Sequence, residues 1–160
     1  MKKIYSELKV FYETAHAELA SALEMLAACK RTDSPKQALG YFMHAKDEYN
    51  HARSFFKMLS VRGKRASINS ARDFRFTAPS LITKGYISNK GFLIDTMKLK
   101  DFIAFVYANE LLAKSSFENI LALVGRRTEE GGEISSIMKD ELRHHGMAKK
   151  HFLNHYPAFQ

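Results

Sequence analysis

The stretch Asp140-Glu141-Leu142-Arg143-His144 repeats, almost residue for residue, the earlier Asp47-Glu48-Tyr49-Asn50-His51. Each copy sets a carboxylate and an imidazole three residues apart. On a helix, positions i and i+3 share a face about one turn apart, so each Glu-x-x-His pair aims an oxygen and a nitrogen at one point. Each pair therefore supplies half of a metal site, provided that the surrounding chain is helical.

The surrounding chain reads as helix on both sides. From about Ile4 to Lys30 strong helix formers carry apolar residues every three or four positions, among them Val10, Phe11, Leu19, Leu23 and Leu26. At Arg31-Thr32-Asp33-Ser34-Pro35 the period breaks, Ser34 suits an N-cap and Pro35 suits a first helical position, so a second helix runs from about 35 to 61. A third is expected over 97–124 and, after the turn Gly125–Gly132, a fourth over 133–155, closed by Pro157. Between them, residues 62–96 hold Gly63, Pro79, Gly85 and Gly91 without a sustained period. A hairpin-like excursion is expected around Tyr86–Ser88 and Gly91–Ile94. The fold class is all-α: two antiparallel helical hairpins joined by a long crossover into a four-helix bundle, in one domain spanning 1–160.

Two lone glutamates complete the pattern. Glu18 precedes Glu48 by 30 residues and Glu110 precedes Glu141 by 31, so each hairpin can bring its lone acid level with its Glu-x-x-His pair. The set Glu18, Glu48, His51, Glu110, Glu141 and His144 balances most of the charge of two cations and suits iron better than zinc, which as a structural ion favours thiolates. With 11 Glu and 7 His in 160 residues, about half of one Glu-x-x-His is expected by chance, and the chain has three. Requiring Asp before Glu lowers the expectation to about two in a hundred, and two matches occur. The third, Glu13-x-x-His16, shares neither direction nor depth with Glu18 and is assigned to the surface. Glu18 and Glu110 stand on apolar stripes (Phe11, Ala15, Ala22 and Met25; Ile103, Val106, Tyr107 and Phe117), where a carboxylate calls for a cation.

Composition bounds the class. The chain is 46% hydrophobic and 26% charged, with no apolar run near the ~18 residues of a membrane span. Met1–Glu7 does not read as a secretory signal, and the single Cys29 fits a reducing compartment, so the expectation is cytoplasmic. The net charge of +8 is local: residues 61–95 carry Arg62, Lys64, Arg65, Arg72, Arg75, Lys84 and Lys90 against Asp73 and Asp95. Such a patch is a candidate surface for an acidic or phosphorylated partner, or for nucleic acid. No Gly-x-Gly-x-x-Gly occurs, so electrons for any redox chemistry must come from a separate donor.

On these motifs the chain resembles the ferritin-like di-iron carboxylate superfamily. Asp140-Glu141-Leu142-Arg143-His144 is similar to the Asp-Glu-x-Arg-His signature of its oxygen-activating members, while the first copy has Asn50 in place of Arg. The resemblance implies two iron ions, or iron and manganese. Glu48 and Glu141 would bridge them, His51 and His144 would bind one each, and Glu18 and Glu110 would be terminal ligands. Asp47 and Asp140 would orient the imidazoles, and Tyr107 would stand beside the centre. It further implies a monooxygenase or other oxidoreductase acting on dioxygen and an organic substrate with a separate electron donor. The alternative is iron oxidation or peroxide handling of the ferritin or rubrerythrin type. Oligomeric state, substrate and donor stay open.

Overall fold

The computed structural model describes the backbone of residues 2–65 and 78–159, and the side chains of residues 7–63 and 81–159. Among these residues all regular structure is helical: α1 Lys2–Arg31, α2 Pro35–Arg65, α3 Ala78–Thr83, α4 Leu93–Thr96, α5 Leu99–Val124 and α6 Glu129–His155, with a 3₁₀ turn at Pro157–Phe159. The chain forms two compact units, Met1–Thr96 and Met97–Gln160.

The first unit is built on the α1–α2 hairpin. Ser34 caps α2 as its position suggests, its Oγ accepting from the N–H of Gln37 at 3.4 Å. The pairings Glu7–Arg62, Phe11–Phe55 and Glu18–His51 keep nearly the same sum of residue numbers, the signature of an antiparallel register. Phe11 and Phe55 are fully buried with ring centroids 5.9 Å apart. A side cluster of Leu19, Ala20, Ala52, Leu81 and Ile87, flanked by Leu23, Phe56, Tyr86 and Phe92, packs the segment after residue 80 onto this hairpin.

That segment is not the expected hairpin-like excursion. α3 ends in a Schellman motif, with Tyr86 N–H on the Leu81 carbonyl (2.9 Å), Gly85 N–H on that of Ile82 (3.0 Å) and Gly85 at φ 79°. The N–H groups of residues 85–87 are thus spent on a helix cap, and Gly91 N–H closes a turn on the Ser88 carbonyl. Further on, Leu93 N–H donates to Glu24 at 2.9 Å and Arg31 pairs with Asp95 at 2.6 Å, fixing α4 beside the end of α1.

The second unit is the α5–α6 hairpin. Its register shows in Tyr107 stacked on His145 (5.5 Å) and Phe152 (4.9 Å), and in Tyr156 Oη donating to the Lys100 carbonyl at 3.2 Å. α6 begins at Glu129, four residues before the sequence expectation. Thr128 caps it, accepting from Gly131 N–H at 2.9 Å, and Glu129 and Glu130 complement the helix dipole, which outweighs the two glycines that read as a turn.

Candidate metal centre

Glu18, Glu48, His51, Glu110, Glu141 and His144 are all buried, as is His44. Their neighbours explain why. Phe11, Ala15, Ala22 and Met25 on α1, and Ile103, Val106 and Phe117 on α5, are buried on the same stripes as Glu18 and Glu110.

In the first unit the donor atoms of Glu18, Glu48 and His51 lie within 4.8 Å of one another, and those of His44 and Glu48 form a second close pair. His51 Nδ1 is 3.3 Å from Glu18 Oε2, and His44 Nε2 is 3.0 Å from Glu48 Oε1. Glu48 belongs to both groups. In the second unit Glu110 and His144 offer donor atoms within 4.8 Å, and His144 Nδ1 stands 4.0 Å from Glu141 Oε1. Each unit therefore holds a buried cluster of Glu and His.

These clusters suit a metal in chemistry and in spacing. Two donors at about 2.1 Å on adjacent octahedral vertices are about 3.0 Å apart, close to the His44–Glu48 and His51–Glu18 separations. Two carboxylates within 4.8 Å, such as Glu18 and Glu48, repel by roughly 3 kcal/mol at an effective dielectric of 20, so the pair needs protons or a cation. The donors are oxygen and imidazole nitrogen, a set that suits iron or manganese.

Asp140 accepts from Arg143 at 2.9 Å, the guanidinium being half exposed; Asp47 is half-buried. Tyr107 is half-buried between His145 and Phe152.

His16 departs from the surface assignment. It is 1% exposed, enclosed by Tyr12 (4.2 Å), Tyr86 (5.5 Å) and Phe56 (5.8 Å). Its Nδ1–H donates to the Tyr12 carbonyl at 2.8 Å, and burial lowers its pKa. Glu13 stays exposed, 3.7 Å from Lys9. Sequence reasoning also missed His44, although His44-x-x-x-Glu48 places both on one helix face. Of the basic residues in 61–95, Arg62 pairs with Glu7 over the Phe11 ring and Lys84 binds the Tyr12 hydroxyl, while Lys90 is exposed. The side chains of Lys64, Arg65, Arg72 and Arg75 lie outside the described residues.

No protein-family model matches the chain, and comparisons with curated proteins and with solved structures give no match. Among the described residues no helix is long and apolar enough to cross a membrane.

Proposed function

We propose that this chain is a non-haem di-iron oxidoreductase that uses dioxygen to hydroxylate or otherwise oxidise an organic substrate, with electrons from a separate donor protein. The observation that supports it is the pair of buried Glu and His clusters, one in each unit. Glu18, Glu48, His51, Glu110, Glu141 and His144 would hold two iron ions, or iron and manganese, whose charge the four carboxylates balance. Bound iron would supply the one-electron chemistry that dioxygen requires.

The protein's own part is to assemble and dry the site. Glu48, common to both donor groups of its unit, suits a bridging role. Phe11, Met25, Ile103, Val106 and Phe117, buried on the stripes that carry Glu18 and Glu110, keep bulk water from the carboxylates and strengthen their hold on a cation. An acidic or phosphorylated partner at the basic segment is part of the same proposal.

A second reading is iron oxidation or peroxide handling of the ferritin or rubrerythrin type. Arg143, half exposed and paired with Asp140, is the residue whose place in the signature puts the oxygenase first. The experiment is oxygen uptake by the iron-loaded, chemically reduced protein, run beside peroxide consumption. Uptake on each reduction cycle that is coupled to oxidation of an added organic substrate, with little peroxide turnover, supports the oxygenase, whereas uptake that only oxidises added Fe(II) supports the second reading. Rapid peroxide loss without uptake supports the second reading, and neither activity contradicts both.

A further inference from the structure

We infer that His44 is a seventh donor of the metal centre, a role that rests on the metal reading proposed above. His44 lies one helical turn before Glu48 on α2, and His51 lies one turn after it, so the glutamate is flanked by imidazoles on both sides. His44 is buried, like the six residues that the sequence pattern marks. Its Nε2 is 3.0 Å from Glu48 Oε1, the spacing of two donors on one ion. Glu48 shares one donor group with His44 and another with Glu18 and His51, so the two imidazoles of this unit serve different groups. The described donors of the second unit include one clustered imidazole, His144. Three imidazoles shared between two metal positions leave the positions unequal in nitrogen, and the nitrogen-richer one binds late first-row divalent ions more firmly than a site of carboxylates and a single imidazole.

The competing role for His44 is to donate an Nε2–H bond to Glu48 and hold its carboxylate in place. The two roles differ in where the proton sits: a ligand uses the Nε2 lone pair and keeps its proton on Nδ1. Proton NMR of the protein loaded anaerobically with Co(II) separates them, because each metal-bound imidazole shows its remaining N–H as a strongly shifted, solvent-exchangeable signal. Three such signals are expected, and two in both His44→Ala and His44→Gln. One of the two Co(II) binding events should weaken by about 100-fold or more in each variant, at or beyond the upper end of the 10- to 100-fold typical of losing a ligand's hydrogen-bond partner. Gln keeps an N–H donor for Glu48, so a purely positioning histidine would be rescued by Gln and not by Ala. Two signals in the wild type, with Gln binding Co(II) normally, overturn the inference and leave the metal reading intact. A wild type that takes up no Co(II) overturns both. Should either variant fail to fold, the wild-type signal count alone decides.

Discussion

His51 Nδ1 lies 3.3 Å from Glu18 Oε2 across 33 residues of sequence, whereas Glu13, five residues before Glu18, faces solvent beside Lys9. One helix thus separates an acid that belongs to the buried cluster from one that does not. Glu18→Ala and His51→Ala should each abolish at least one iron equivalent per chain. Glu13→Ala should leave iron binding unchanged and stability within about 0.5 kcal/mol, since exposed pairs contribute little. Metal analysis after anaerobic loading and desalting reads the difference.

Buried carboxylates gathered in one cluster oppose folding through desolvation and mutual repulsion, and a bound cation reverses this. Adding Mn(II) at 100 times its dissociation constant should stabilise the wild type by about 2.7 kcal/mol per site. Glu110→Gln and Glu141→Gln should melt higher than the wild type without metal and gain less when it is added. Thermal melts with and without Mn(II) check this, and an equal gain in all three proteins would contradict it.

Glu24 is buried where Leu93 N–H reaches it, and its pKa is raised by burial and by Asp95, against the lowering effect of that hydrogen bond. The folded state holds the Glu24 proton more tightly than the unfolded chain does. Its stabilising contribution is therefore complete below about pH 4.5 and is lost as pH rises through the raised value. Glu24→Gln keeps an oxygen for Leu93 N–H and has no charged form to bury. Its advantage over the wild type should grow from pH 4 to pH 7 in urea unfolding; a difference independent of pH would count against this account.

The start of α6 sets two adjacent glycines apart. A Cβ on Gly131 would stand 2.2 Å from the Gly125 carbonyl oxygen, which accepts from Thr128 Oγ1 at 2.8 Å, while a Cβ on Gly132 meets nothing within 4 Å. Gly131→Ala should cost about 1–3 kcal/mol by forcing the turn backbone to move. Gly132→Ala should gain about 0.5–1 kcal/mol from helix propensity. Denaturant midpoints of the two variants should fall on opposite sides of the wild type.

What the sequence made legible was local. The apolar period placed the four long helices to within a few residues, and i,i+3 spacing together with matched intervals singled out the six residues that prove to be buried. The features it hid depend on contacts from far along the chain. His16 looked exposed because its enclosure needs Phe56 and Tyr86, and Glu24 carried no signal because its partner, Leu93 N–H, arrives from 69 residues away. The basic run between 61 and 95 read as one patch open to a partner, yet Arg62 is held by Glu7 and Lys84 by Tyr12. His44 was visible in principle, since i,i+4 spacing to Glu48 is as good a face signal as i,i+3. The helix at 129 was masked by Gly131 and Gly132, whose poor propensity is outweighed by the Thr128 cap.

The central claim is that the buried Glu and His clusters exist to hold paired iron. Anaerobic titration with Fe(II), followed by Mössbauer spectroscopy after exposure to oxygen, tests it most directly. The account predicts two iron ions per chain, magnetically coupled once oxidised, and loss of that coupling in Glu48→Ala. Absence of bound iron, or a single uncoupled ion that survives Glu48→Ala, would contradict it.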